Sequence, residues 1–278
     1  MRTFSHPGYK RFLLSVGCLL SIHFTALFFL TLFRLVFFFS ANYDFPDQEH
    51  VGFMSIWPAF IRGVWFDNVI ACYILLIPLV AVSISALFNY YGKILWNVTC
   101  IFFSLFYGIV LLVTAANIPY FQYFFKIINS SVFNWFGYMN TTAGMVFGET
   151  SYYPPLIGFL LTLVLFIWLM RRLIRHFQCL LNTKNPSVFW LDRIYIFLTA
   201  GICIGLCLFG IRGRTGYNPI KVSAAYYCTD PFLNQLGISP VFNLLSSTLD
   251  DSRKENRYLH LMPENEALEN TRHYLNRP

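Results

Sequence analysis

The residues of this chain whose types and spacing suit chemistry sit at the ends of apolar runs. Arg62 and Asp67 frame the segment Arg-Gly-Val-Trp-Phe-Asp, Asn117 opens a stretch that carries Tyr120, Tyr123 and Lys126, and Arg212 and Arg214 bracket a glycine. A guanidinium matches the oxygens of a phosphate two at a time, and a carboxylate beside it fixes its orientation. Tyr and Lys suit the boundary between hydrocarbon and water. The chemistry implied is recognition of a lipid headgroup, with Arg62, Asp67, Asn117, Tyr120, Lys126, Arg212 and Arg214 as the candidate contacts. The same residues also admit a plainer reading as interfacial anchors and ion pairs.

Covalent catalysis has no comparable signature. There is no His-Glu helix pair for zinc, no Gly-rich nucleotide loop and no serine set in a nucleophile elbow. The seven cysteines lack metal-ligand spacing, and five of them lie inside apolar runs where a thiol behaves as a small hydrophobe. Cys203 and Cys207, four apart on an expected helix, read as packing residues. Of the six histidines only His23 falls within an apolar run, where helix packing is the better reading than proton relay. The triplets beginning at Asn97, Asn129 and Asn140 match the glycosylation pattern, the first of them inside an apolar run. No catalytic residue and no metal ligand is assigned.

The elements that must position these groups follow from composition. Of 278 residues 56% are hydrophobic and 12% charged, against about a quarter charged in soluble domains. That much apolar surface has the bilayer as its natural solvent. Five spans are expected, at about 12–39, 69–90, 94–117, 155–170 and 190–210. Arg34, near the far end of the first, is expected to snorkel to the headgroups. A loop is expected over 40–68, with Asp44, Asp47, Glu49 and His50, and a kink at Pro78. The aromatic run 120–128 reads as an interfacial helix. The fold class expected is all-α: a five-helix transmembrane bundle with an interfacial helix and an outward helical tail. Residues 1–211 form the membrane domain and 212–278 a juxtamembrane linker. No internal repeat is visible.

Orientation follows from the basic residues. With the N-terminus inside, the inner segments hold nine Lys and Arg against the single acid Asp192, and the short outer loops hold Arg62 and Lys126. The tail then lies outside. The net charge of +7 flanks apolar runs instead of lining a soluble face, which excludes nucleic acid as a partner.

Five spans with an outward tail resemble the membrane half of the lipoteichoic acid synthase and phosphoglycerol transferase family, within the sulfatase-like, alkaline-phosphatase superfamily. Arg62 to Pro78 is similar to that family's Gly-x-x-Phe-Asp entry to the second span. Asn117 to Lys126 is similar to a second stretch, with Asn117 where the family often has Asp. The most specific likeness is Gly-Ile-Arg-Gly-Arg-Thr-Gly-Tyr-Asn-Pro-Ile at 210–220, then Ala224, then the run from Phe232 to Ser247 containing Asn234, Pro240 and Phe242. The resemblance implies an extracytoplasmic α/β catalytic domain beyond Arg277-Pro278, with a Thr nucleophile and manganese or magnesium; no such position lies in this chain. It implies a bacterial inner-membrane location, phospholipid as partner, and a hydrolase domain in cis or in trans. The expected role is to anchor such an enzyme and present its lipid, in a chain truncated before the catalytic residues. A small transporter or a non-catalytic membrane scaffold is the alternative.

Overall fold

The computed structural model describes residues 6–41, 53–138, 144, 148, 150–181, 190–253 and 262–275. The expected positions Asp44, Asp47, Glu49, His50, Asn140 and Arg277-Pro278 lie outside the described residues. Among the described residues five helices are long and apolar enough to cross a membrane, which makes this a multi-pass, all-α membrane protein. They are α1 (Pro7–Ser40), α2 (Phe53–Leu87), α3 (Lys93–Phe124), α4 (Tyr153–Leu181) and α5 (Trp190–Arg212). Beyond them come α6 (Pro231–Leu236), α7 (Pro240–Ser252) and α8 (Glu264–Leu275). No strand occurs among the described residues.

Helix α2 is the hub. It packs on α1 and α5 most extensively and also meets α3, α6 and α7. Its buried residues Ala59, Gly63, Phe66, Asp67, Ile70, Ala71, Ile74 and Leu75 recur at intervals of three and four, the period of one helical face. That face begins within the stretch expected as loop, so the expectation of a loop up to Asn68 is corrected: the helix starts at Phe53 and runs on through Pro58 and Pro78. Helix α4 rests mainly on α3 and α1. It continues past Met170 to Leu181, so Arg171, Arg172 and Arg175 stand on helix, with the Arg172 guanidinium 5.4 Å above the Trp168 ring.

The interfacial helix over 120–128 is also corrected. Helix α3 carries straight on to Phe124, with Pro119 inside it, and stops where Phe125 turns left-handed at φ 53°. The Phe125 N–H still reaches the Phe121 carbonyl at 2.8 Å. A 3-10 segment, Ser130–Tyr138, follows.

The polar tail does not leave the bundle at once. Gly213 takes a left-handed turn at φ 72°, with Ile220 and Val69 packed where a side chain would stand. The Ile220 N–H then bonds the Arg212 carbonyl at 3.0 Å, folding the chain back. Phe232 on α6 meets Phe37 of α1 and Phe121 of α3 with ring centroids 5.7 and 5.6 Å apart. Phe242 on α7 meets Phe66 of α2 at 4.9 Å. Past residue 211 the chain therefore stays in the apolar packing: Phe232, Leu236 and Val241 join the main core, and Ile220, Ala225 and Ile238 join a second cluster with Phe66 and Val69.

Candidate functional site at the linker end of the bundle

The linker end is organised around a buried ion pair. Arg34 donates through Nη2 to Asp67 Oδ2 at 2.6 Å, and both side chains are about 95% buried (5% and 3% exposed). Through Nη1 Arg34 donates to the Leu236 carbonyl and, at 3.2 Å, to the Ile238 carbonyl. Three elements thus share one guanidinium: α1 supplies it, α2 its counterion, and the α6–α7 turn its carbonyl acceptors. Gly63, one turn before Asp67, makes room. A Cβ there would fall inside van der Waals contact with the Arg34 guanidinium. The expectation that Arg34 snorkels to the headgroups is corrected. The side chain turns inward because Asp67 and two carbonyls solvate it there, which repays part of the desolvation cost of a buried charge.

Arg62 serves the same docking. It donates to the Ala224 carbonyl and lies 5.0 Å from the Tyr227 ring centroid. The Tyr227 hydroxyl donates to the Ser55 carbonyl at the start of α2. Burial, and the neighbouring Cys228, push the Tyr227 phenol well above its ordinary pKa. Trp65 donates its indole N–H to the Gly213 carbonyl. Asn234 is a staple within the linker, accepting from the Tyr227 and Cys228 N–H groups at 2.9 and 3.3 Å and donating to the Cys228 carbonyl at 2.7 Å. Asn117, 99% buried, accepts from the Ile128 N–H at 3.0 Å and closes the turn after α3. The Gln235 amide takes the Ile127 N–H at 3.1 Å in the same turn.

Of the candidate headgroup contacts, then, Asp67, Asn117 and Arg62 hold the protein's own groups. Arg212 donates to the Gly216 and Tyr217 carbonyls and Arg214 lies against Gly216, so both guanidinia stay with their own turn. Tyr120 and Lys126 differ. Tyr120 makes a long hydrogen bond of 3.4 Å to Asn129 and forms part of a cavity wall. Lys126 is exposed, forms no ion pair among the described residues, and lines a polar hollow of about 470 Å³ with Asn129, Gln235 and Asn243.

The cavity touched by Tyr120 is the feature the residue types did not announce. It measures about 580 Å³, within the range of small-molecule sites of roughly 300–1,000 Å³. Helix α3 contributes Leu112, Ala115, Ala116, Pro119 and Tyr123; α4 contributes Pro155, Leu156 and Phe159; Trp135 and Tyr138 come from the 3-10 segment. Its walls are nearly all apolar. A second cavity of about 280 Å³, between α1, α3 and α4, shares Pro155 with the first. The nearest sequence signal was small and ring-closed residues: Ala115, Ala116 and Pro119 on α3 and Pro155 on α4 all line it.

The opposite end and the interior hold simpler polar contacts. His6 Nδ1 lies 2.7 Å from Asp192 Oδ1, pinning the start of α1 to the start of α5. Arg11 lies 4.7 Å from the Tyr91 ring centroid, and burial pushes the Tyr91 phenol up to about 12, with Arg11 pulling the other way. His23 meets Asn68 Oδ1 at 3.1 Å and Cys207 donates to the Cys72 carbonyl at 3.3 Å, so both act as packing residues between helices. Among the described residues no three His, Cys, Asp or Glu side chains come together as a metal site. No protein-family model matches the chain, and no match was found among curated proteins or solved structures.

Proposed function

We propose that this chain is the membrane-anchoring and lipid-presenting module of an enzyme resembling the phosphoglycerol transferases and sulfatase-like hydrolases. In this reading it sits in a bacterial inner membrane, with α1 starting in the cytoplasm and the linker on the outer face. The observation that carries the reading is the mount of the linker. A simple tether needs only polar, solvated chain. Here the linker is held onto three spanning helices: Arg34 and Arg62 bond its Leu236, Ile238 and Ala224 carbonyls, and Phe232 packs on Phe37 and Phe121. A fixed mount is what a headgroup transferase needs to hold its catalytic domain, in cis or in trans, at constant height above the leaflet. By the resemblance, manganese or magnesium would be held by that domain. The docked linker also stands beside Lys126 and the apolar cavity, which puts a cation and a hydrocarbon-sized space on the face where the lipid is to be handled.

The test is lipid turnover. Membranes holding this chain are given the detached catalytic domain of a phosphoglycerol transferase, and diacylglycerol released from phosphatidylglycerol is measured. Release several-fold above that of the catalytic domain alone supports the reading. No rise overturns it.

A further inference from the structure

We infer that the cavity between α3, α4 and the Ser130–Tyr138 segment seats one acyl chain of an anionic phospholipid, with the phosphate at Lys126. The inference deepens the lipid-presenting reading and rests on it for the side of the membrane involved.

Length argues for the acyl chain. The cavity wall on α3 runs from Leu112 to Phe124, about 18 Å at roughly 1.5 Å per residue. One leaflet of a hydrocarbon core about 30 Å thick is about 15 Å deep, so the cavity is as long as the chain of a single leaflet. Its position argues the same way. Leu112 at the deep end is 47% exposed on a spanning helix, so the cavity communicates sideways with lipid. Tyr123 and Tyr138, 72% and 73% exposed, stand at the other end, where aromatic rings with a polar edge mark the interface. The lining is nearly all apolar, so it offers a chain dispersion contacts on several sides where bulk lipid offers a disordered neighbour.

Charge argues for the anion. The turn Phe125–Asn129 is the partition between two compartments. Ile128 faces the apolar cavity, while Lys126, Ile127 and Asn129 face the polar hollow. The amides of Asn234, Gln235 and Asn243 around that hollow already bond backbone groups. Lys126 is the cation there, and a lipid whose chain lies in the cavity brings its phosphate to the partition. The turn is held rigid by Asn117 and Gln235 through the Ile128 and Ile127 N–H groups, which fixes the lysine relative to the cavity mouth.

The experiment uses the whole chain in phosphatidylcholine vesicles doped with phosphatidylglycerol that carries a photoactivatable diazirine on one acyl chain. Cross-links are mapped by mass spectrometry. Labelling is expected to concentrate on 112–124 and 155–159, above the level on the lipid-facing residues Phe197 and Leu206 of α5. Ala116→Phe fills the cavity from an exposed position on α3, and labelling there is expected to fall about tenfold, equivalent to roughly 1.4 kcal/mol of binding. Leu156→Trp fills it from the opposite wall and gives the same loss if the first variant folds poorly. Lys126→Glu is expected to lower labelling by the phosphatidylglycerol probe strongly and that by a phosphatidylcholine probe, whose phosphate is offset by its own ammonium, much less. Labelling no higher than on α5, or insensitive to both filling variants, overturns the seat. Equal labelling by the two probes with Lys126→Glu inert overturns the anionic headgroup. No catalytic domain is present, so these outcomes are separable from failure of the turnover assay.

Discussion

The two halves of the linker end solve opposite problems. Around Arg34, charge is abundant and space is absent: the guanidinium is wrapped by Asp67, two carbonyls and the bare Cα of Gly63. Between α3 and α4, space is abundant and charge is absent: a cavity of about 580 Å³ is walled by alanines, prolines and aromatic rings. The difference separates structure from binding. A charge already paired and buried has nothing to offer a ligand, whereas an apolar hollow open to the lipid side offers a chain a concave surface to pack against. Residue chemistry alone points to the first half as the site, and packing points to the second.

The contrast breaks most sharply at the ion pair. Asp67→Ala leaves the Arg34 charge buried without its counterion, and a loss of about 3–5 kcal/mol is expected, read as a lowered midpoint of thermal unfolding in detergent. Arg34→Met combined with Asp67→Leu removes both charges together and is expected to recover most of that loss, because the desolvation cost goes with them. If the double variant is as unstable as the single one, the pair is not what holds the node. Gly63→Ala comes next. Its methyl group displaces the guanidinium without deleting a charge, and overpacking of this kind costs about 1–3 kcal/mol. The discriminating measurement is thiol accessibility of Cys228, which should increase in Gly63→Ala if the linker lifts when Arg34 is displaced.

A comparable but more local effect is expected on the side of the cavity. Asn117→Ala removes the acceptor of the buried Ile128 N–H, and an unsatisfied buried donor costs about 1–3 kcal/mol. The loss should be local. Hydrogen exchange at Ile127 and Ile128 is expected to quicken while exchange in α2 stays at the wild-type rate. Uniform quickening would mean that the turn belongs to the same cooperative unit as the Arg34 node.

The spanning helices were legible because an apolar run of this length has few other solutions. Their ends were not, because hydropathy stops where polar residues begin while backbone hydrogen bonding carries on. Arg171 and Arg175 continue α4, and Tyr120 to Phe124 continue α3, for that reason. The start of α2 was hidden by Trp57, Arg62 and Asp67, which look interfacial one at a time, although Ala59, Gly63, Phe66 and Ile70 already keep helical spacing. Arg34 could not be placed from its neighbours. Its counterion lies 33 residues away and its carbonyl acceptors about 200 residues away, so only the assembled bundle shows that it points inward. The cavity is the extreme case. It consists of missing atoms, and no residue type encodes it; the nearest signal was the small residues Ala115 and Ala116 on α3 and Pro155 on α4.

The smallest expected effect sharpens the comparison at its weakest point, the exposed arginines. Arg212 and Arg214 were the most suggestive residues of the linker by charge, yet the Arg212 bonds stay within five residues of itself and both side chains are exposed. Arg212→Gln and Arg214→Gln should each change stability by no more than about 0.5 kcal/mol, as surface substitutions usually do. They should also leave labelling of the cavity by the phosphatidylglycerol probe where it was, since Lys126 and not this turn lines the hollow across the Phe125–Asn129 partition from it. A loss of labelling in Arg214→Gln comparable to that in Lys126→Glu would draw the turn after α5 into the headgroup site. The charged half of the linker end would then bind as well as build.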